Sequence, residues 1–175
     1  MSSCVKKRSF SELSSISKID TVSEKRVHIS DITYKIGIHG EMYIYEGRLF
    51  TGIIYDIYDN YRRKLEFSVK RGVKEGLHKE WYANGKLKTE ANYNFRRLDG
   101  LNKEWYENGQ IKSDRNFKFG KMEGMYRWWH ENGQLYRRGN IKNGAKDELW
   151  KEWHENGQLI IEEVYKEGEL IEKIK

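Results

Sequence analysis

Trp81-Tyr82-Ala83-Asn84-Gly85 returns as Trp105-Tyr106-Glu107-Asn108-Gly109, as Trp129-His130-Glu131-Asn132-Gly133 and as Trp153-His154-Glu155-Asn156-Gly157. Successive tryptophans lie 24 residues apart with no drift. A fixed period of this length marks a repeat architecture, in which each unit buries its apolar side against its neighbours.

Other columns keep the same period and extend it backwards. Gly52, Gly76, Gly100 and Gly124 are one column. Val69, Tyr93, Phe117, Ile141 and Tyr165 are an apolar one. Gly72, Gly120, Gly144 and Gly168 are a third, with Arg96 in the missing place. Asn60 is in register with Asn84, although Tyr61 stands for the turn glycine and Ile57 for the tryptophan. The period therefore predicts five units, at 52–75, 76–99, 100–123, 124–147 and 148–171.

Asn-Gly between two alternating runs is the strongest short hairpin signal in a sequence. A two-residue turn would set Trp81 against Lys88 and Tyr82 against Leu87, mixing apolar and charged residues on both faces. A three-residue loop, Ala83-Asn84-Gly85, sets Trp81 against Leu87, Lys79 against Thr89 and Leu77 against Ala91. It also makes the opposite-charge pairs Glu80–Lys88 and Glu104–Lys112. The segregated register is the favoured one. Trp81, Gly85, Trp105, Gly109, Trp129, Gly133, Trp153 and Gly157 are then structural. One hairpin is marginal in water, so the units stack edge to edge. The expectation is all-β: an elongated, twisted, single-layer antiparallel sheet of five tandem 24-residue hairpins. The chain contains no proline to interrupt such a ladder.

Composition agrees. Aromatics make up 14% of the chain and charged residues 34%, which suits a thin sheet more than a thick core. There is no apolar run long enough to span a bilayer as a helix. The net charge of +6 is uneven. In residues 1–30, Lys6, Lys7, Arg8, Lys18, Lys25 and Arg26 face Glu12, Asp20 and Glu24. Half of the excess thus sits in this serine-rich leader, which reads as disordered or as a short helix capped at Ser9. Residues 31–51 read as lead-in strands that start the sheet, and 172–175 as a tail. The single cysteine, Cys4, excludes an internal disulfide and fits a reducing cytoplasm. The alternative is a lipoprotein anchored at Cys4, a cysteine preceded closely by small residues.

These residues resemble the MORN repeat (membrane occupation and recognition nexus). The likeness is closest to its bacterial variant, Gly-X-X-X-X-Trp-Tyr-X-Asn-Gly-(Gln/Lys)-(Leu/Ile). The matching stretches are Gly76–Leu87, Gly100–Ile111, Gly124–Leu135 and, with Glu148 for the leading glycine, Glu148–Leu159. Many members carry the heading of toxin–antitoxin system YwqK-like antitoxins. The resemblance implies a non-enzymatic binding protein of the antitoxin or inhibitor kind and names no partner.

Catalytic signatures do not emerge. No phosphate-binding glycine loop, nucleophile elbow or helical histidine pair is present. No cofactor and no metal is expected. Two surfaces merit attention. Lys79, Lys103, Arg127 and Lys151 form a basic column interleaved with tryptophan, suited to nucleic acid or anionic lipid. In the expected register, Glu80–Lys88 and Glu104–Lys112 give way to Trp128–Tyr136, then to Glu152–Ile160 beside Trp150. A charged face thereby becomes aromatic at Tyr126, Trp128, Tyr136, Trp150 and Ile160. Aromatic anchors of this kind suit a protein partner such as a toxin, nuclease or effector. The tryptophans outside the repeat column, Trp128 and Trp150, are the expected anchors.

Overall fold

The computed structural model describes residues 24–37 and 40–175. The helix expected at Ser9, Cys4 and His39 lie outside the described residues. From Arg63 onward the chain folds as a train of hairpins: β6 (Arg63–Lys70), β7 (Val73–Trp81), β8 (Leu87–Asn94), β9 (Arg97–Trp105), β10 (Ile111–Lys118), β11 (Lys121–Trp129), β12 (Leu135–Lys142), β13 (Ala145–Trp153), β14 (Leu159–Lys166) and β15 (Glu169–Lys173). Before them come β1 (Arg26–His28), β2 (Thr33–Gly37), β3 (Gly40–Tyr45), β4 (Arg48–Leu49) and β5 (Gly52–Ile57). A 12-stranded sheet runs β1-β5-β6 and then in strict chain order to β15. It is antiparallel except for β1, which lies parallel to β5. The long open sheet of tandem hairpins is thus the fold that the period demands.

The lead-in differs from expectation. The residues read as the start of the sheet, β2 to β4, form a separate three-stranded sheet. It is pinned to the turn between β6 and β7 by Tyr43 N–H to Gly72 O at 2.9 Å and by Gly72 N–H to Phe50 O. Its aromatic side chains explain the arrangement. Tyr43, Tyr45 and Phe50 close over Ile54, Phe67 and Val69, which with Val27 make the one apolar core cluster among the described residues. A bare sheet face has nothing else to bury these groups against. The position at the sheet edge goes instead to β1, at the end of the stretch read as a leader.

The expected three-residue loop is present. Tyr82 N–H bonds Lys86 O at 2.9 Å, Gly85 sits at φ +89°, and Trp81 pairs with Leu87. The next pairings depart from the expected register by one residue. Glu80 meets Thr89, Lys79 meets Glu90 and Leu77 meets Asn92. The cause is a β-bulge: Lys88 is an extra residue on its strand, which puts Lys88 and Thr89 toward the same face. Lys112, Tyr136 and Ile160 occupy the same place in later units. The expected ion pairs survive because the bulged lysines still reach across, Lys88 to Glu80 at 3.3 Å and Lys112 to Glu104 at 3.8 Å.

Both ends of the ribbon are stitched from one unit to the next. At the Asn-Gly end, hydroxyls of Tyr58, Tyr82 and Tyr106 donate to the carbonyls of Trp81, Trp105 and Trp129 at 2.6–2.8 Å. His130 Nε2 donates to Trp153 O in the same manner at 2.9 Å. The Asn60, Asn84, Asn108 and Asn132 amides donate to the loop carbonyls 23 residues on. At the other end, the N–H groups of Arg96, Gly120, Gly144 and Gly168 bond carbonyls of the preceding unit. The first unit shares the ladder through Tyr58 and Asn60, although its turn holds Tyr61 at φ +62° where the others have glycine.

Candidate functional site

Alternation along the strands sorts the side chains onto two faces. The Trp face holds three rows. The first is the repeat tryptophans with their partners Leu87, Ile111, Leu135 and Leu159. The second is charged. The third sets Leu77, Leu101 and Met125 opposite asparagines and Leu149 opposite Val164; Leu77, Leu101, Met125 and Leu149 are 39–56% exposed. The opposite face is covered at its start by the lead-in sheet and open further on.

The basic column lies in the charged row of the Trp face, and the fold interleaves it with carboxylates. The row reads Glu66, Lys79, Glu90, Lys103, Asp114, Arg127, Arg138, Lys151, Glu162, each opposite the next. Lys79 bonds Glu90 at 2.9 Å, Arg127 bonds Asp114 at 2.5 Å and Lys151 bonds Glu162 at 2.6 Å. A column that reads as basic in sequence is therefore largely neutralised in space. The carboxylates come from the alternate strands, 11 or 13 residues away in sequence, which is why the column alone misleads.

The aromatic group is on the opposite face, beyond the lead-in sheet. Tyr126 and Trp128 stack at 6.3 Å between centroids, and Tyr126 meets Trp150 at 5.4 Å. The bulge changes the expected partners: Trp128 lies opposite Arg137, and Glu152 opposite Ile161. Tyr136 and Ile160 are the bulged residues. They line an open recess at the Asn-Gly end with His130 and His154. His130 packs against Tyr136 at 4.9 Å.

Trp150 is not an exposed anchor. It is 3% exposed. Its indole lies over Gly139, its Nε1 donates to Asn140 O at 3.0 Å, and the Lys146 ammonium caps it at 4.9 Å. The position of Gly139 in its column is held by Phe67, Ala91, Arg115 and Glu163 in the other units. Only the glycine leaves room for an indole, so the burial is local to this unit. Trp150 belongs to the fold. Tyr126, Trp128, Tyr136 and Ile160 are half-buried and reach solvent.

Sequence reading missed the cations that frame this group. The Lys112 ammonium sits 5.4 Å from the Trp128 ring and the Arg115 guanidinium 5.8 Å. Arg137 lies 5.1 Å from the Tyr136 ring, with its Nη2 3.2 Å from the hydroxyl. Both arginines are tied down: Arg115 to Asn102 and Glu104, Arg137 to Glu152 at 2.7 Å. Such contacts hold side chains rigid, which lowers the entropy lost on binding. Burial pushes the Tyr126 hydroxyl above its ordinary range, although Arg137 and Arg115 oppose the effect. Among the described residues no group of three metal-ligating side chains converges.

Comparison with known proteins supplies one match. Residues 74–94, 98–119, 122–143 and 149–167 each fit the MORN repeat variant. These are the hairpins β7–β8, β9–β10, β11–β12 and β13–β14; the β5–β6 hairpin has the same shape outside the matched stretches. No curated protein matches the chain.

Proposed function

The chain carries four MORN repeat variants in tandem, and on that premise we propose that it is a non-catalytic protein-binding module of the antitoxin or inhibitor kind. Its contact surface is the open half of the face that the lead-in sheet covers at its start. The observation that carries this reading is Trp128. It reaches solvent in a column held by Glu80 and Glu104 in earlier units, with Tyr126 stacked beside it. Tyr136 and Ile160 extend the patch to the rim of the ribbon. Large aromatics with little conformational freedom to lose are the usual anchors of protein interfaces.

The mechanism is occlusion. A sheet stitched at both ends presents a stiff surface several strands wide, and a toxin, nuclease or effector docked on Trp128 is blocked sterically. Nothing in this needs a reacting group on the ribbon. A nucleic-acid or anionic-lipid reading through Lys79, Lys103, Arg127 and Lys151 has less support, because Glu90, Asp114 and Glu162 neutralise three of those four cations. The proposed setting is the cytoplasm, with a lipoprotein tethered at Cys4 as the alternative.

Trp128→Ala is the informative variant. Its melting should fall only slightly, because the half-buried indole loses no more than its contacts with Tyr126, Lys112 and Arg115. Affinity capture from the source cell should then lose the proteins that the parent holds. An identical set of captured proteins on the folded variant would refute this surface. Retention of the complex as salt rises would support the aromatic contact, whereas a steep loss would point to phosphate contacts.

A further inference from the structure

The charged row of the Trp face alternates in sign across the array with one exception. Glu66, Glu90, Asp114 and Glu162 share a column, and its fourth place is held by Arg138. Arg138 consequently lies between Arg127 and Lys151. Like charges directly opposite on a sheet destabilise it. Arg127 and Lys151 are each satisfied on their far sides by Asp114 and Glu162. The guanidinium of Arg138 instead stands 5.7 Å from the Trp153 ring, on an exposed residue. Among the described residues, the array thus concentrates one uncompensated positive charge at a position where a glutamate would serve the fold better.

Apolar side chains stand in the rows on either side, with Asn140 of Arg138's own strand opposite Met125. One row along the strands from Arg138 stand Met125, 56% exposed, and Leu149, 40% exposed; one row the other way stands Trp153. These rows are two residues apart, the interval at which an extended chain repeats its side chains on one side. We infer that Arg138 anchors an acidic extended segment of a protein partner, separate from the Trp128 surface on the opposite face. The segment lies along the strands with its carboxylate on Arg138. The side chain two residues before or after that carboxylate packs on Met125 and Leu149, and its counterpart on the other side packs on Trp153.

Charge complementarity selects this occupant over a polyanion. A nucleic acid or an anionic bilayer presents a run of phosphates and is matched by a run of uncompensated cations. Here the flanking cations already hold carboxylates that would repel further phosphates. One net charge framed by apolar side chains matches one aspartate or glutamate between two apolar residues.

The test selects a displayed library of random 12-residue peptides on the whole chain, with a single-stranded 20-nucleotide DNA and phosphatidylserine vesicles as parallel probes. The recovered peptides should share an acidic residue with apolar residues two places to either side. Arg138→Glu should weaken the best of them by about tenfold or more, as loss of a charge-assisted hydrogen bond requires, and Arg138→Gln by less. Arg138→Glu should also melt above the parent, so the loss cannot be laid to misfolding. Trp128→Ala should bind the peptides as the parent does. The inference is overturned if no peptide is recovered, if the peptides lack the acidic residue, or if they bind Arg138→Glu equally well. Loss of binding in Trp128→Ala, a lower melting temperature for Arg138→Glu, or Arg138-dependent binding of the DNA or vesicles would overturn it too.

Discussion

Trp150 lies over Gly139, on the neighbouring strand, and a methyl group on that glycine would overlap the centre of the indole. Gly139→Ala should therefore expel Trp150 or force the strands apart. The expected cost is about 1–3 kcal/mol, the usual range for overpacking. Trp150→Ala should cost about 3–5 kcal/mol through the cavity it leaves. Urea titration measures both. A red shift of tryptophan emission in Gly139→Ala would report the indole entering water, and an unshifted spectrum with unchanged stability would contradict the packing.

Three units replace a glycine at a left-handed position: Arg96, at φ +68° and held to Glu41 O by its side chain, and two cases without such a bond. Tyr61 sits at φ +62° where Gly85, Gly109, Gly133 and Gly157 sit at +83° to +92°. Glu148 sits at φ +61° in the column of Gly76, Gly100 and Gly124. The left-handed conformation costs an L side chain roughly 1–2 kcal/mol. Both side chains are exposed and lose little packing on removal. Tyr61→Gly and Glu148→Gly should each stabilise by about 1 kcal/mol, raising Tm by roughly 2–4 °C. Differential scanning calorimetry of the two variants and their combination checks this; a lower Tm in either would show that its side chain matters more than its backbone.

Acid should weaken the second unit through Glu80. Its hydrogen bond to His78 holds the carboxyl down to about 2, with the His78 and Lys88 charges acting in the same direction against the effect of burial. A carboxyl lowered in the fold binds fewer protons there than in the unfolded chain. Its contribution is full above about pH 4.5 and is lost as pH falls toward 2. Glu80→Gln should remove that part of the acid dependence. Parallel urea midpoints from pH 6 to pH 2.5 test it, and a constant gap between parent and variant over that range would disprove the linkage.

Lys74 acts with the same sign at the alkaline end. Its ammonium lies 4.0 Å from the Tyr93 ring and 5.1 Å from the Phe67 ring, and burial pulls it down to about 8. The unfolded chain then binds more protons between pH 8 and about 10.5, so this group adds stability as pH rises through that window. The Tyr43 hydroxyl, raised to about 12 mainly by burial, works the other way above pH 10. Lys74→Met keeps the stem and removes the desolvated charge. It should be more stable than the parent at pH 7, with the advantage shrinking by pH 9.5. An advantage that stays constant with pH would mean that the amine is solvated.

The outline of the fold is legible in residues 81–87. Asn84 and Gly85 give the loop length, and the loop length gives the Trp81–Leu87 pair. The bulge at Lys88 is not legible there, because a lysine fits a regular strand as well as a bulge and only the neighbouring strands decide. That one residue moved Lys79 from Thr89 to Glu90, and with it the meaning of the basic column. Trp150 was misread for a related reason. Its own strand pattern says exposed, and the fact that buries it is an absent side chain at Gly139, 11 residues away. The lead-in strands were recognisable as strands, but their partner was not: Tyr43 and Phe50 seek a surface, and the surface is provided by Phe67 and Val69 of the first hairpin.

The one-way bonds from Tyr82 and Asn84 to the hairpin that follows give the ribbon a direction. At this end each donor meets an acceptor 23 residues later; at the other end the backbone N–H groups reach back to carbonyls 22 residues earlier. A segment of 24 residues copied in tandem would arrive with side-chain donors facing forward at one end and backbone donors facing back at the other, so both junctions would close with bonds of the kind already in use. Length in such a protein is a heritable variable, adjustable by duplication or deletion of whole units with the stitching bonds kept.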